Sequence, residues 1–412
     1  MRMQKLINFI KIIIRGGLIV LNDGFICLPV KKGTVIFESF NGKDISDNPA
    51  AIYRALASRP EVKATQLYFG VKPRVFAKVH QEFPEVQLLK RFSLKWIWVI
   101  ARAEFWVFNS RMPLWWHKNR GTTYIQTWHG TPLKKLGIDI EDVNIPGTTT
   151  AKYKQQFAAE AGRWQYLIAP NQYSKEIFAR AFAFQGQFLE VGYPRNDYLY
   201  HTSSNEVSQI KKRLIGNTTT KVIVYAPTWR DDQAIKTGQY QFELPFNLKA
   251  FFETVSSDYH LIIRPHYLVK DLIDITGFED RVSIEADIDI SELYLIADLL
   301  ITDYSSVMFD FANLKKPMLF YAYDLAHYRD QLRGFYFDYQ TEIPGPLVTE
   351  QSAFYESLRQ FAEQGRFPEY EQKYAAFYDK FCSFENGEAS EKLADLILGR
   401  NQNESVINRI TR

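Results

Sequence analysis

Short apolar runs, each cut off by a polar or glycine-containing cluster, recur from residue 33 to about residue 321. Runs of four to eight apolar residues bounded by turn signals read as buried strands. Such runs lie at 34–40, 67–69, 86–89, 105–108, 124–127 and 165–169 in the first half. In the second half they lie at 222–225, 260–263, 282–284, 299–301 and 318–321. Between them, apolar positions recur at helical spacing over 47–56, 93–102, 207–214, 248–255, 290–296 and 307–314. Asp47 is a candidate cap for the first of these, with Pro49 in its first turn. Strands alternating with helices predict a mostly parallel sheet covered on both faces. The series pauses at Gly192-Tyr193-Pro194-Arg195-Asn196-Asp197, so two doubly wound α/β units are expected, with a hinge near 192–206. Helices at about 351–363, 370–381 and 388–398 close the chain.

The first 32 residues differ from the rest. Residues 6–21 are apolar but interrupted by Asn8, Lys11, Arg15 and Gly16-Gly17. That is too broken for a membrane span, which needs about 20 mostly apolar residues. Apolar positions mixed with Lys and Arg suit a helix lying in the interface of an anionic membrane; a helix packed on the protein is the alternative. The segment carries a net +5 of the chain's +3, leaving about −2 for the remainder. A generally basic nucleic-acid binder is therefore disfavoured. Two cysteines, Cys27 and Cys382, make neither a disulfide framework nor a metal-ligand set. The domains expected are 1–32 as the membrane-associating segment, 33–195 and 196–400.

Three strand ends carry candidate chemistry. The run Leu299-Leu300-Ile301 is followed by Thr302-Asp303-Tyr304-Ser305-Ser306, after which helical spacing resumes. Ser305 or Ser306 fits a helix N-cap, and a helix N-terminus suits a phosphate. His129 follows the strand-like run at 124–127, and Arg264 and His266 follow that at 260–263. In open α/β sheets, ligands bind beyond the carboxyl ends of the strands. A histidine can act as base near neutral pH, and arginine suits phosphate recognition. Arg230 belongs to the same polar set. The P-loop, the G-x-G-x-x-G fingerprint, the H-E-x-x-H helix and the G-x-S-x-G elbow are all missing from the sequence.

The stretch Thr127-Trp128-His129-Gly130-Thr131-Pro132-Leu133-Lys134-Lys135-Leu136-Gly137 resembles the signature of the CDP-glycerol glycerophosphotransferase family of wall teichoic acid synthesis. Phe37 to Lys43, Tyr225 to Arg230, Arg264 to His266, Ile301 to Ser306 and Arg333 to Asp338 are similar to that family in the same order. The resemblance implies a GT-B-like α/β fold, two facing Rossmann-like domains with an N-terminal membrane-associating helix. It implies a peripheral enzyme at the cytoplasmic face of the membrane. It implies transfer of glycerol phosphate from CDP-glycerol to a hydroxyl of a lipid-linked teichoic acid precursor, with release of CMP. His129 would be the base and His266 would contact the donor pyrophosphate. Arg230, Arg264, Asp303, Ser305, Ser306, Lys134 and Lys135 would bind substrate. No tightly bound metal or cofactor is expected, although a divalent cation bridging the phosphates stays open. Ribitol phosphate transfer from CDP-ribitol, a nucleotide-sugar glycosyltransferase and a catalytically silent membrane scaffold are the alternatives.

Overall fold

The computed structural model describes residues 2–143, 147–228, 234–236, 239–240, 243–265, 272–325 and 334–399. The chain divides into two compact units. Unit 1 comprises 1–130, 136–197 and 384–412, and unit 2 comprises 131–135 and 198–383.

Unit 1 is built on seven strands: β1 (Lys31–Glu38), β2 (Leu67–Val71), β3 (Leu88–Lys90), β4 (Ala103–Phe108), β5 (Thr123–Gln126), β6 (Tyr166–Ala169) and β7 (Gln187–Glu190). They form one sheet in the order β3-β2-β1-β4-β5-β6-β7. Every pairing is parallel. The strands are apolar on both faces because helices cover both. Phe37, Phe69, Val107 and Ile125 are fully buried on one side with Tyr53 and Leu56 of the helix Asp47–Ala57. Ser46, not Asp47, occupies the N-cap position of that helix. Asp47 is instead its first residue, at φ +59°.

The last helix, Ala389–Ile397, corrects the expected run of the second domain to residue 400, since 384–412 belongs to unit 1. It packs Ala389, Leu393, Ala394 and Ile397 into the core of unit 1. The Asp197 carboxylate accepts from its first two backbone N–H groups, Ala389 (3.1 Å) and Ser390 (2.6 Å). An anion at a helix N-terminus satisfies orphan donors and opposes the dipole. Glu385 adds a second tie, accepting from Tyr193 N–H and Asn196 Nδ2 at 3.0 Å each.

Unit 2 holds β8 (Lys221–Ala226), a two-stranded antiparallel pair β9 (Ala234–Lys236) and β10 (Gln239–Tyr240), then β11 (Tyr259–Ile263), β12 (Val282–Ile284), β13 (Leu299–Thr302), β14 (Met318–Tyr321) and β15 (Leu347–Val348). The main sheet runs β12-β11-β8-β13-β14-β15, again parallel throughout. Counted within each unit, both sheets share the order 3-2-1-4-5-6, the Rossmann-like arrangement. In each, chain direction across the sheet reverses between the first and fourth strands: β1/β4 in unit 1 and β8/β13 in unit 2. Those two strand pairs locate the ligand crevices.

The N-terminal helix spans Arg2–Ile26. Its C-terminal end docks on unit 1. Asn22 Nδ2 donates to the His117 carbonyl (2.9 Å), and the Phe25 ring meets Trp98 edge-on at 4.9 Å. Farther back, Phe9, Ile12 and Ile13 are 58–67% exposed. Among the described residues no helix is long and apolar enough to cross a membrane.

Candidate active site

His129 lies three residues beyond the end of β5, after a turn at Trp128, which takes φ +53°. Its Nδ1 is 2.8 Å from the carbonyl oxygen of Asn109, the residue following β4. A carbonyl only accepts, so Nδ1 carries the proton and Nε2 keeps its lone pair. The ring stacks on Trp128 (4.6 Å between centroids, 25°) and meets the edge of Phe40 at 5.8 Å. The residue is exposed to solvent. Surrounding protein pushes its pKa below the ordinary histidine value, while the Asn109 bond and the Asp47 charge pull upward and Arg195 pulls down. Water at the exposed edge tempers that shift. The outcome is a neutral imidazole at pH 7 with an open basic nitrogen.

Several groups absent from the expected set hold this ring. The Asn109 side chain, fully buried, accepts from Phe40 N–H (2.7 Å) and donates to Asp47 Oδ2. Asp47 Oδ1 accepts from Arg195 Nη1 at 2.6 Å. Asn48, also fully buried, donates to the Trp128 carbonyl (3.2 Å) and accepts from the Arg195 backbone N–H (3.2 Å). Phe40, Asn41, Asp47 and Trp128 all have positive φ, four of the seven described non-glycine residues that do. Left-handed backbone outside glycine costs free energy and gathers at functional sites. The advance signals are positional: Phe40, Asn41 and Trp128 lie within family-like motifs, Asp47 at a helix start, and Arg195 within the stretch read as a hinge.

Beside this network, β1 ends at the buried Glu38. Arg91 Nε lies 3.1 Å from its carboxylate, and Trp96 Nε1 donates to it at 2.9 Å. Burial raises the Glu38 pKa, and the Arg91 charge opposes the rise. Lys72, just past β2, feels Arg91, Arg74 and Lys43, and burial with those like charges lowers its pKa. Among the described residues, no carboxylate lies within ion-pair distance of Lys43, Lys72 or Arg74. Positive charge therefore collects at the carboxyl ends of β1 and β2.

In unit 2 the crevice at β8/β13 is built from backbone ties. Thr302 Oγ1 donates to the Ala226 carbonyl (2.7 Å), and Asp303 Oδ1 accepts from Thr228 N–H (2.8 Å). Tyr339 OH donates to the Asp303 carbonyl at 2.7 Å. Asp303 is only 1% exposed, and its carboxylate pins the loop after β8. Ser306 stands at the N-cap but makes no side-chain cap. Ser305 Oγ accepts weakly from Val307 N–H at 3.4 Å. The helix that follows, Val307–Phe311, is five residues long and tightens into a 3-10 turn, so it supplies a smaller dipole than the pattern 307–314 implied. Both serines reach solvent while Tyr304 is buried.

Arg264 follows β11 and donates from Nη1 to the Glu285 carbonyl (2.7 Å). Glu285, Asp287 and Asp289 surround its charge. Lys134 and Lys135 lie in the segment 131–135, which belongs to unit 2 and not to the first domain as expected. Lys134 bridges to Phe335, and Lys135 N–H donates to the Gly334 carbonyl (2.9 Å). Arg230 and His266 lie outside the described residues.

Comparison with known proteins agrees with this arrangement of two Rossmann-like units. The model of the CDP-glycerol:poly(glycerophosphate) glycerophosphotransferase family matches residues 21–399, and the chain belongs to that family. It is 49% identical over 375 residues to the teichoic acid poly(glycerol phosphate) polymerase of Bacillus subtilis (strain 168), covering 90% of this chain and 49% of that protein. It is 47% identical over 370 residues to the teichoic acid glycerol-phosphate transferase of Staphylococcus aureus (strain NCTC 8325 / PS 47), covering 89% and 93%. The chain thus spans about half the length of the first relative and nearly all of the second. A solved structure of the wall teichoic acid polymerase TagF superposes with a TM-score of 0.84 at 39% identity, over 98% of each chain.

The hydrogen-bonding and charge at His129 predict its titration. With 13C-labelled histidine, the resonance missing from a His129→Ala variant should titrate with a midpoint below the ordinary 6.5. Below that midpoint the ring is protonated and has no lone pair to offer. A midpoint above 6.5 would mean that the local charges outweigh desolvation.

Proposed function

We propose that the protein transfers glycerol phosphate from CDP-glycerol to a hydroxyl of a lipid-linked teichoic acid acceptor. The terminal acceptor hydroxyl gives its proton to His129 Nε2 as its oxygen attacks the distal phosphorus. The bond from that phosphorus to the oxygen shared with the cytidine-bearing phosphate breaks, and CMP leaves with the electron pair. The observation that carries the reading is the tautomer of His129: with Nδ1–H committed to the Asn109 carbonyl, the basic nitrogen is free, in a family whose reaction needs a hydroxyl deprotonated. Unit 1 would supply the base and unit 2 the donor site.

Positioning and electrostatic stabilisation carry most of the catalysis in such a transfer. Arg230, Arg264, His266 and the Ser305/Ser306 turn would meet the donor pyrophosphate, without a tightly bound metal. A divalent ion bridging the phosphates through water is compatible with this. Arg264 would have to draw its charge away from Glu285, Asp287 and Asp289 to serve. Lys134 and Lys135 would add positive charge on the unit 2 side, and Asp303 would act through the Thr228 loop. The acceptor is itself a polyanion. Lys43, Lys72 and Arg74, which have no carboxylate within ion-pair distance among the described residues, would take its phosphodiester groups.

The N-terminal helix would tether the enzyme to the cytoplasmic face of the membrane. The apolar side chains of Phe9, Ile12 and Ile13 are left in water while the end near Asn22 is anchored to unit 1. Basic residues near an anionic surface contribute about 1 kcal/mol each.

Two outcomes are expected. A folded His129→Ala variant should lose about 100- to 10,000-fold in turnover while keeping CDP-glycerol affinity by calorimetry. Retention of more than about a tenth of wild-type turnover would remove His129 from the base role. Deletion of residues 1–30 should release the protein from anionic vesicles at physiological salt. Continued sedimentation with the vesicles would place membrane binding elsewhere.

A further inference from the structure

We propose that the Asp47–Arg195 ion pair is the positioning device for His129, acting on the ring through Asn109 and Asn48. This rests on His129 being the base, and it explains features that a binding site for substrate alone leaves unexplained.

The dipeptide Asp47-Asn48 opens the helix Asp47–Ala57. Each residue sends one arm toward His129. Asp47 Oδ2 accepts from Asn109 Nδ2, and Asn109 Oδ1 accepts from Phe40 N–H, so the whole of Asn109 is clamped. The carbonyl of that same residue is what receives His129 Nδ1–H. The second arm is shorter. Asn48 Nδ2 donates to the carbonyl of Trp128, the peptide immediately before His129, and Thr127 Oγ1 donates to the same oxygen at 3.0 Å. The ring's tautomer and the backbone that carries it are thus held from one place.

Arg195 grips both residues of the dipeptide. Its guanidinium pairs with Asp47, its backbone N–H donates to Asn48 Oδ1, and its cationic plane lies over the Tyr193 ring at 4.4 Å. The side chains of Arg195 and Asp47 are 17% and 6% exposed, so this ion pair is largely withdrawn from water. Burying such a pair is rarely a gain in stability over apolar side chains of similar size. Asp47 also sits in left-handed backbone, which costs more. A fold that needed only packing here has cheaper solutions. What the pair supplies is an aimed hydrogen-bond acceptor and a fixed local charge.

That charge has a sign that can be tested. Among the described residues the charged groups acting on the His129 ring are Asp47, which raises its pKa, and Arg195, which lowers it. In the wild type the two oppose each other. Removing one leaves the other unmatched.

The test is a set of pH–rate profiles and 13C-histidine titrations on Asp47→Asn, Arg195→Gln, the double variant and Arg195→Lys, with circular dichroism on each. Asp47→Asn should move the His129 midpoint and the acid limb of turnover to lower pH. Arg195→Gln should move both to higher pH. The two displacements should be opposite in sign. The double variant should return toward the wild-type midpoint, and Arg195→Lys should stay near it because the charge is kept. Calorimetric affinity for CDP-glycerol should be unchanged in all four. If Asp47→Asn does not fold, the contrast between Arg195→Gln and Arg195→Lys carries the same test. Loss of turnover with an unmoved midpoint in the folded variants would overturn the proposal and leave His129 as base. Unimpaired turnover in His129→Ala would instead overturn the reading on which the proposal rests.

Discussion

Parallel pairing is the constraint from which the rest follows. Every neighbour in the two main sheets runs in the same direction, so no strand can be joined to the next by a tight hairpin. Each must be followed by a crossover, and all the strand ends that feed the crossovers gather at one edge. Both faces are covered in the process, so the strands become unbroken apolar runs and polar chemistry is driven into the loops beyond their carboxyl ends. The β1/β4 and β8/β13 reversals then open a crevice at that edge in each unit. His129 lies beyond β5, next to the first reversal, and the Asp303–Ser306 turn lies at the second.

At the first crevice the fold spends free energy to fix one imidazole. Four left-handed residues, two fully buried asparagines and a largely buried ion pair surround a ring held through its Nδ1. At the second, the ties among the described residues include a hydroxyl, a backbone N–H and the Asp303 carboxylate, which holds the loop after β8. Under the proposed function, one unit would prepare a nucleophile and the other would bind a phosphorylated donor.

Much of this fold is legible in the sequence because buried parallel strands leave a strong pattern. Eleven of the thirteen strands in the two main sheets follow from apolar runs alone. β7 (Gln187–Glu190) escaped because only Leu189 in it is buried, and β15 because it is two residues long. The helix Thr150–Ala161 escaped because it buries little beyond Phe157, Glu160 and Ala161. His129 could be found, since a histidine followed by glycine past a strand end is a local signal. Its supports could not. Asp47 and Arg195 are 148 positions apart, and nothing local marks them as partners until the fold brings them together. The final helix went to the wrong unit for the same reason: its partners Asp197 and Tyr53 lie far back in the chain, and helical periodicity does not say which core a helix faces.

The central claim is the chemical identity of the transfer. The most direct measurement is mass spectrometry of the products formed from a synthetic lipid-linked acceptor supplied with CDP-glycerol, CDP-ribitol or sugar nucleotides. The account predicts acceptor heavier by whole glycerol phosphate units, matched by CMP, with CDP-glycerol. An acceptor extended only from CDP-ribitol, or one that gains a sugar with release of UDP or GDP, would contradict it.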